Sequence, residues 1–492
     1  MTISEHTAPD TAEPIEFPAD AKHFSEYDLT EDECTFTTDR YTSPEFHRRE
    51  IEKLWLNVWQ LACREDEVAK PGDFCEYRIG SQSYLIVRGR DGEVRAFHNV
   101  CKHRGNPLRE GSGSVGEALT CNFHMWSYNL DGSVRRISDR ESFCPISDSD
   151  YALTAVATGC WGGWVFIHPD PAGAPPLLEF LSPLPEQFAG HQLDKLVPVG
   201  LNATTYISAN WKVAMEAFLE VYHTQGVHPQ LLPSFDDYDL KFQTYAAGHN
   251  RMVVPFAVAS PHLGEGGSTP DEILEAMFGF ESGAAEQKMH EGVEISTGAS
   301  DGEDRRANAS GALGDYFTSA DAAASPLAVF DQYRNASGQI EFQEGTTLRR
   351  VMKDMARAAL AAKGVELTGF TDDMWLDDWH TLVFPNSIIN YTATQTLFFR
   401  FLPDWDDPNK CRWDIVTFEY FADPEQAASV RAKHVEFAER EQTLGLILDQ
   451  DAYQIPRIQR GMRSAALDHV LFSKQEIRLI HFNRTIDQYL ER

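Results

Sequence analysis

Residues 101–108, CKHRGNPL, and 121–132, CNFHMWSYNLDG, set a C-x-H pair and a C-x-x-H pair seventeen residues apart. Two thiolates and two imidazoles on two short loops suit a [2Fe–2S] cluster held asymmetrically, sulfur on one iron and nitrogen on the other. Imidazole ligation raises the potential above that of an all-cysteine cluster, so Cys101, His103, Cys121 and His124 read as a one-electron relay. Each imidazole binds through one nitrogen and leaves the other N–H to hydrogen-bond or lose a proton. Gly105 and Pro107 suit a tight loop whose N–H groups point at sulfide, and Trp126 is placed to keep the cluster dry. Two cysteines and two histidines also bind zinc. Here, however, the helix-borne H-x3–5-H of a finger is missing and C-x-H is tighter than a zinc knuckle.

A relay needs a destination. Residues 210–229, NWKVAMEAFLEVYHTQGVHP, read as a helix carrying Glu220, His223 and His228. Glu220 falls one turn before His223, on the same side. Gly226 lets the helix loosen, so that histidines five apart reach one metal. Iron(II) that binds O2 takes two imidazoles and one carboxylate on one octahedral face, with the other positions open. That carboxylate has to come from far along the chain, because the helix offers only Glu216 and Glu220. The bland alternative is that these histidines pack or cap.

At 492 residues the chain exceeds one compact core, so two or three domains are expected. Its 43 basic against 75 acidic residues give a net charge of −32, which repels nucleic acid and anionic membranes. A basic protein face suits it better as a partner. Eight cysteines without a short framework point to a reducing compartment, with Cys63, Cys75, Cys144, Cys160 and Cys411 as buried structural thiols. The opening residues MTISEHTAPDTAEPIEFPAD lack an apolar signal core, and no apolar run is long enough for a bilayer, so a soluble, cytoplasmic protein is expected.

Along the chain, residues 1–40 read as an acidic tail, disordered or draped over another domain. Residues 41–58 form a helix packing on the catalytic domain, with Ile51, Leu54, Trp55 and Val58 on one face. Residues 59–169 are short strands and glycine turns, with a hairpin at Asp91-Gly92. Residues 170–195 are a proline-rich linker. The remainder, 196–492, alternates helices with strands such as TLVFPNSIINYTATQTLFFRFLP and carries a Gly/Ala/acid-rich insertion or lid at 260–325. The fold class is α+β, with a largely antiparallel sheet in the second half.

Three features together, C-x-H-R-G…C-x-x-H, N-W-K-x3-E-x3-E-x-Y-H-x4-H-P and D-x7-Q-R-G, resemble the α subunit of a Rieske non-heme iron oxygenase. These are the aromatic-ring-hydroxylating enzymes, and the resemblance runs from about Tyr41 to Arg463. It implies a small all-β Rieske domain and a helix-grip catalytic domain. It implies that Cys101, His103, Cys121 and His124 hold the cluster, while His223, His228 and Asp451 hold iron(II). Asp451 is chosen because it stands eight residues before Gln459-Arg460-Gly461, and Asp449 is its competitor. A head-to-tail homotrimer is implied, with or without a small β subunit. In it His124 of one copy meets Glu220 of the next, and Glu220 contacts His223. Electrons come from NAD(P)H through a separate flavin reductase, with or without a ferredoxin; nothing in the chain resembles a nicotinamide or flavin fingerprint.

Two departures stand out. Met125 occupies a position where the family often has glycine, and Glu220 one where ring dioxygenases usually have aspartate; glutamate occurs in relatives that act as monooxygenases or demethylases. The leading expectation is dihydroxylation of an aromatic or polycyclic substrate; the alternative is oxidative O- or N-demethylation. A pure electron carrier is the rival from another class, disfavoured by the long region beyond the cluster. Met215 and Phe218, with Phe384, Asn386 and Ile388, are expected to line the pocket, and Asn210 either adds a polar contact near the iron or caps the helix before Trp211.

Overall fold

Gln395–Pro403 and Cys411–Tyr420, rich in aromatic and β-branched residues, pair antiparallel in the middle of a nine-stranded sheet. We number its strands along the chain: β1 (Lys22–His23), β2 (Leu196–Ile207), β3 (Lys241–Thr244), β4 (Asn250–Val254), β5 (Asp378–Val383), β6 (Ser387–Tyr391), β7 (Gln395–Pro403), β8 (Cys411–Tyr420) and β9 (Val435–Glu436). Their spatial order is β1-β3-β4-β5-β6-β7-β8-β2-β9, antiparallel throughout except for β2 with β9. The strands expected within 381–403 number three, the first beginning earlier at Asp378. Proline at 385, which has no N–H to give a ladder, separates β5 from β6, and a turn closed by Thr392 N–H on the Gln395 carbonyl separates β6 from β7.

The computed structural model describes residues 15–264, 266–278 and 326–492. It falls into two compact units. The larger takes in the chain up to Ser43, Leu196–Asp404 and Pro408–Asn483. The described part of the expected tail is built into this unit: β1 adds an edge to β3, and Thr35–Thr37 pairs with His469–Leu471. Buried Cys34 and Phe36 anchor that second ribbon, which is why this stretch does not stay free. Of the expected 260–325 insertion, Pro270–Phe278 is a helix with Leu274, Met277 and Phe278 buried, whereas 279–325 lie outside the described residues.

The smaller unit comprises Pro44–Lys195, Trp405–Asp407 and Arg484–Arg492. It holds a seven-stranded and a three-stranded antiparallel sheet. Two expectations change here. The helix near 41–58 runs over Pro44–Arg49 and widens into a π-type turn over Glu50–Trp55; it belongs to this unit, where Trp55 meets Trp405 edge to face at 5.5 Å. The proline-rich 170–195 stretch is no free linker. It forms Leu177–Phe180 and Leu184–Gln187, burying Phe180, Leu181, Leu184 and Phe188, and the Pro175 carbonyl accepts from Trp59 Nε1 at 2.9 Å. Cys144 and Cys160 prove exposed, against the expectation of burial, because neither falls on an inward-facing strand position. Among the described residues no helix is long and apolar enough to cross a membrane.

Candidate metal centres and substrate cavity

In the smaller unit the two Cys–His loops repeat one backbone device. Cys101 N–H donates to the Asn106 carbonyl and the Cys101 carbonyl accepts from Gly105; Cys121 N–H donates to the Trp126 carbonyl and the Cys121 carbonyl accepts from Met125. Each loop thus closes on its own cysteine, and the two residues that turn it, Gly105 and Met125, have φ of 81° and 60°. Met125 carries a side chain in the left-handed region, at a cost of about 1–2 kcal/mol. Both cysteines sit within the hydrophobic core of this unit, packed with Leu108, Leu119 and Trp126. The His103 and His124 rings lie 4.5 Å apart, and Trp126 stacks on His103 at 5.1 Å.

These four residues fit an iron–sulfur cluster. The buried Nδ1 of His103 has no hydrogen-bond partner in the protein, as a metal-binding nitrogen would. Burial and the neighbouring His124 and Arg104 hold its pKa below the usual value, keeping the ring neutral. Tyr128 supports the site: its hydroxyl lies 3.5 Å from Cys101 Sγ and accepts from Lys102 N–H at 3.0 Å.

In the larger unit, Asn210 opens the helix α1 (Trp211–Glu216) as its cap, its side chain accepting from Lys212 N–H at 3.0 Å. The helix stops at Glu216, earlier than its sequence suggests. Phe218 N–H and Leu219 N–H already bond back only three residues, to the Met215 and Glu216 carbonyls, and the helix does not resume at Glu220. The Oε2 of Glu220 accepts the backbone N–H of His223 at 3.0 Å and its Oε1 accepts from His223 Nδ1 at 2.5 Å, so a side chain takes over a helical hydrogen bond. The chain then makes the short helix α2 (Thr224–Val227) and leaves it at His228, whose φ and ψ are −126° and 47°. The two histidines therefore converge from a turn, not from one helix face.

The third member comes from α3 (Leu446–Gly461). Nε2 of His223 and of His228 stand 3.6 and 2.9 Å from Oδ1 of Asp451. One ligand atom from each of the three lies within 4.8 Å of the others. Asp449 points away; its carboxylate accepts from Leu444 N–H at 2.9 Å and from Thr443. Gln450 fixes the other histidine, since its Oε1 is 2.8 Å from His228 Nδ1 and also accepts from Gln230 Nε2 at 2.7 Å. Glu220 and Gln450 thus hold the proton on Nδ1 of each ring and turn a bare Nε2 lone pair toward Asp451. Three electron-pair donors facing one another need a cation between them, which is the fit expected of two imidazoles and a carboxylate around iron(II). Although burial opposes it, the charges of Glu220 and Asp451 push the His223 pKa up to about 9, the same demand for positive charge seen from the proton's side.

This trio opens onto a cavity of about 440 Å³. Its floor is the inward face of the sheet, every second residue of β4 to β8, including Met252, Asp378, His380, Leu397 and Glu419. Of the expected pocket residues only Phe218 lines it. Met215, Phe384 and Ile388 are buried outside the cavity lining, Met215 on α1 itself and Phe384 edge to face with Phe482 at 6.1 Å. Asn386 instead donates to the Phe401 carbonyl at 2.8 Å, and Asn210 donates to that of Pro408 at 2.8 Å. The polar residues on the floor escape a sequence reading. Their one signal is an acidic and a histidine residue, Asp378 and His380, at alternate positions of a strand.

Comparison with known proteins agrees with both centres. Residues 58–148 match the Rieske [2Fe-2S] domain, and 187–293 with 321–492 match the ring hydroxylating alpha subunit (catalytic domain). The chain belongs to the ring-hydroxylating alpha-subunit family. The cofactors of this family are a Rieske [2Fe–2S] cluster and a mononuclear iron. Among curated relatives, the glycine betaine monooxygenase oxygenase subunit of Chromohalobacter salexigens is 32% identical over 201 residues, 40% of this chain and 44% of that one. The chain spans about half the length of the curated relatives it matches. Among solved structures, the quaternary ammonium Rieske monooxygenase CntA in complex with gamma-butyrobetaine aligns with a TM-score of 0.58 at 16% identity, covering 94% of this chain and 99% of that one. Naphthalene 1,2-dioxygenase with indole bound aligns at 0.60, also at 16% identity, covering 96% and 95%. These last two likenesses speak for the fold alone.

Proposed function

We propose that this chain is the oxygen-activating component of a Rieske monooxygenase that oxidises a quaternary ammonium compound at a carbon near its charged nitrogen. The observation that carries the reading is the His223, His228 and Asp451 trio opening onto a mainly apolar cavity of small-molecule size. Curated relatives named for glycine betaine, carnitine and choline support this substrate class over the aromatic dihydroxylation first expected. Glutamate at 220, where ring dioxygenases usually carry aspartate, leans the same way.

In this reading Cys101, His103, Cys121 and His124 hold the cluster, and His223, His228 and Asp451 hold the iron. When bound, the cluster relays single electrons and the iron binds and activates O2. The protein's own contribution is positional. Glu220 and Gln450 fix the imidazole tautomers, Asp451 lowers the net charge of the trio, and the apolar cavity keeps water from the oxidised carbon. Electrons reach the chain from NAD(P)H through a separate flavin reductase, with or without a ferredoxin. Three copies form a head-to-tail ring in which His124 of one meets Glu220 of the next.

Incubation with a generic reductase, NADH and 18O2 tests the reading. Glycine betaine, carnitine or choline should be consumed with one labelled oxygen in the oxidised fragment. A cis-diol carrying two labelled oxygens from naphthalene, with no ammonium compound consumed, would reject it. That second outcome is the aromatic reading, for which the phenylalanines around the cavity, Phe218, Phe235, Phe256 and Phe399, provide the specific support.

A further inference from the structure

We propose that Asp378 is the group that makes this cavity select a cation, its carboxylate facing the positive end of the substrate across the cavity floor. The inference rests on the proposed role of the cavity as the substrate site and adds the residue that reads charge.

Asp378 begins β5 and lines the cavity, yet its side chain is only 8% exposed. One carboxylate oxygen takes the backbone N–H of Tyr391, and Oδ1 is buried with no hydrogen-bond partner in the protein. An unpaired buried carboxylate oxygen is costly, and native proteins keep one where a ligand completes it. Its neighbour shows the contrast. Asp377 points to the other face of the strand and is bound by Arg349 at 2.8 and 3.1 Å, and again by the Phe256 N–H at 3.0 Å.

No nearby cation makes an ion pair with Asp378 among the described residues. Arg478 gives Nε to Asn250 at 2.6 Å and Nη1 to His380 at 2.9 Å, while its buried Nη2 has no hydrogen-bond partner; it acts on Asp378 through its field and not by a hydrogen bond. His380, the other ionisable group on β5 facing the cavity, is held neutral by burial and by Arg478. Glu419, the second carboxylate of the floor, has Lys363 at 2.6 Å. Among the described residues Asp378 is therefore the cavity-lining carboxylate without an ion-pair partner; Glu220, Asp451 and Glu419 each have one. Burial raises its pKa to about 8, with Asp377 adding to the rise while Arg478 and the Tyr391 N–H oppose it. Near neutral pH and without ligand it largely holds a proton; a cation entering the cavity displaces that proton. The phenylalanine walls receive the methyl groups of an ammonium head, and their ring faces favour the cation.

Calorimetric titration of the metal-loaded holoenzyme under nitrogen separates charge from shape, using choline and its uncharged isostere 3,3-dimethylbutan-1-ol. The wild-type protein should bind choline about tenfold or more tightly than the alcohol and release protons at pH 7, seen as a dependence of the heat on buffer ionisation. Asp378→Asn keeps an acceptor for Tyr391 and should lose that preference and the proton release, with the alcohol bound as before. Asp378→Leu serves as a second form, and both are compared at equal iron and cluster content. No preference for choline in the wild type, or a preference that survives Asp378→Asn, overturns the proposal. The latter result leaves the proposed reaction standing. Preference lost in the variant, alongside diols in the 18O2 experiment, would instead retain Asp378 and reject the reaction.

Discussion

The two candidate metal centres are built in opposite ways. Each cluster loop closes on its own cysteine through backbone hydrogen bonds between residues four or five apart, and the sulfur atoms sink into the core of the same unit. The iron trio joins His228 to Asp451 across 223 positions, and neither the histidine turn nor α3 makes the site alone. One geometry is local and set by loop chemistry; the other exists only once the nine-stranded sheet has brought distant segments together. Local sites survive damage elsewhere, whereas long-range sites inherit every error of the fold that spans them.

The sharpest break of this contrast is a reciprocal pair. Asp451→Ala should lose the mononuclear iron and all turnover while keeping the red-brown colour and Rieske EPR signal; Cys101→Ser should bleach the cluster and keep the mononuclear iron. Asp449→Asn, by comparison, should retain iron, because that carboxylate only ties Leu444 and Thr443 into the helix start. Metal analysis with EPR reads all three, and joint loss of both centres in either single variant would deny their independence.

A smaller effect is expected at Glu220. Glu220→Gln keeps the size of the side chain but weakens its grip on His223 Nδ1, so both centres should load while electron delivery in a single turnover slows by roughly 10- to 100-fold. Unchanged single-turnover rates would remove Glu220 from the bridge. Gln450→Leu frees the His228 ring, and iron affinity should fall about tenfold or more in competition with a chelator, with cluster content untouched.

The mildest test sits in the local site. Met125 occupies the same place in its loop as Gly105 does in the other, both at positive φ. Met125→Gly should stabilise the smaller unit by about 1 kcal/mol, read as a small rise in the denaturation midpoint with the cluster spectrum preserved. Destabilisation would mean that the exposed methionine side chain holds the loop in a way its backbone angle does not reveal.

Much of this architecture was legible in the residues. The candidate cluster residues could be read as C-x-H and C-x-x-H because loop chemistry acts over a few residues. His223 and His228 were visible as a pair for the same reason. What misled was the helix: propensity favours continuing through NWKVAMEAFLEVYH, but the backbone tightens after Glu216 and the Glu220 carboxylate then takes the His223 N–H, so the helix does not resume. Whether the tail was free or draped, and that the proline-rich stretch is fixed, could not be read locally, because their anchors are long-range: Phe36 pairs with Val470, and the Pro175 carbonyl accepts from Trp59 Nε1.

By itself, the sequence singled out Cys101, His103, Cys121 and His124 as one group, the histidine pair and the strand-rich second half, since each depends on spacing and alternation within short windows. Only the tertiary structure decided that Asp451 and not Asp449 faces the histidines, that Gln450 steadies one of them, and which side chains floor the cavity. Those outcomes depend on strand register and on the direction of α3, and a shift of one residue in either would turn a different side chain inward.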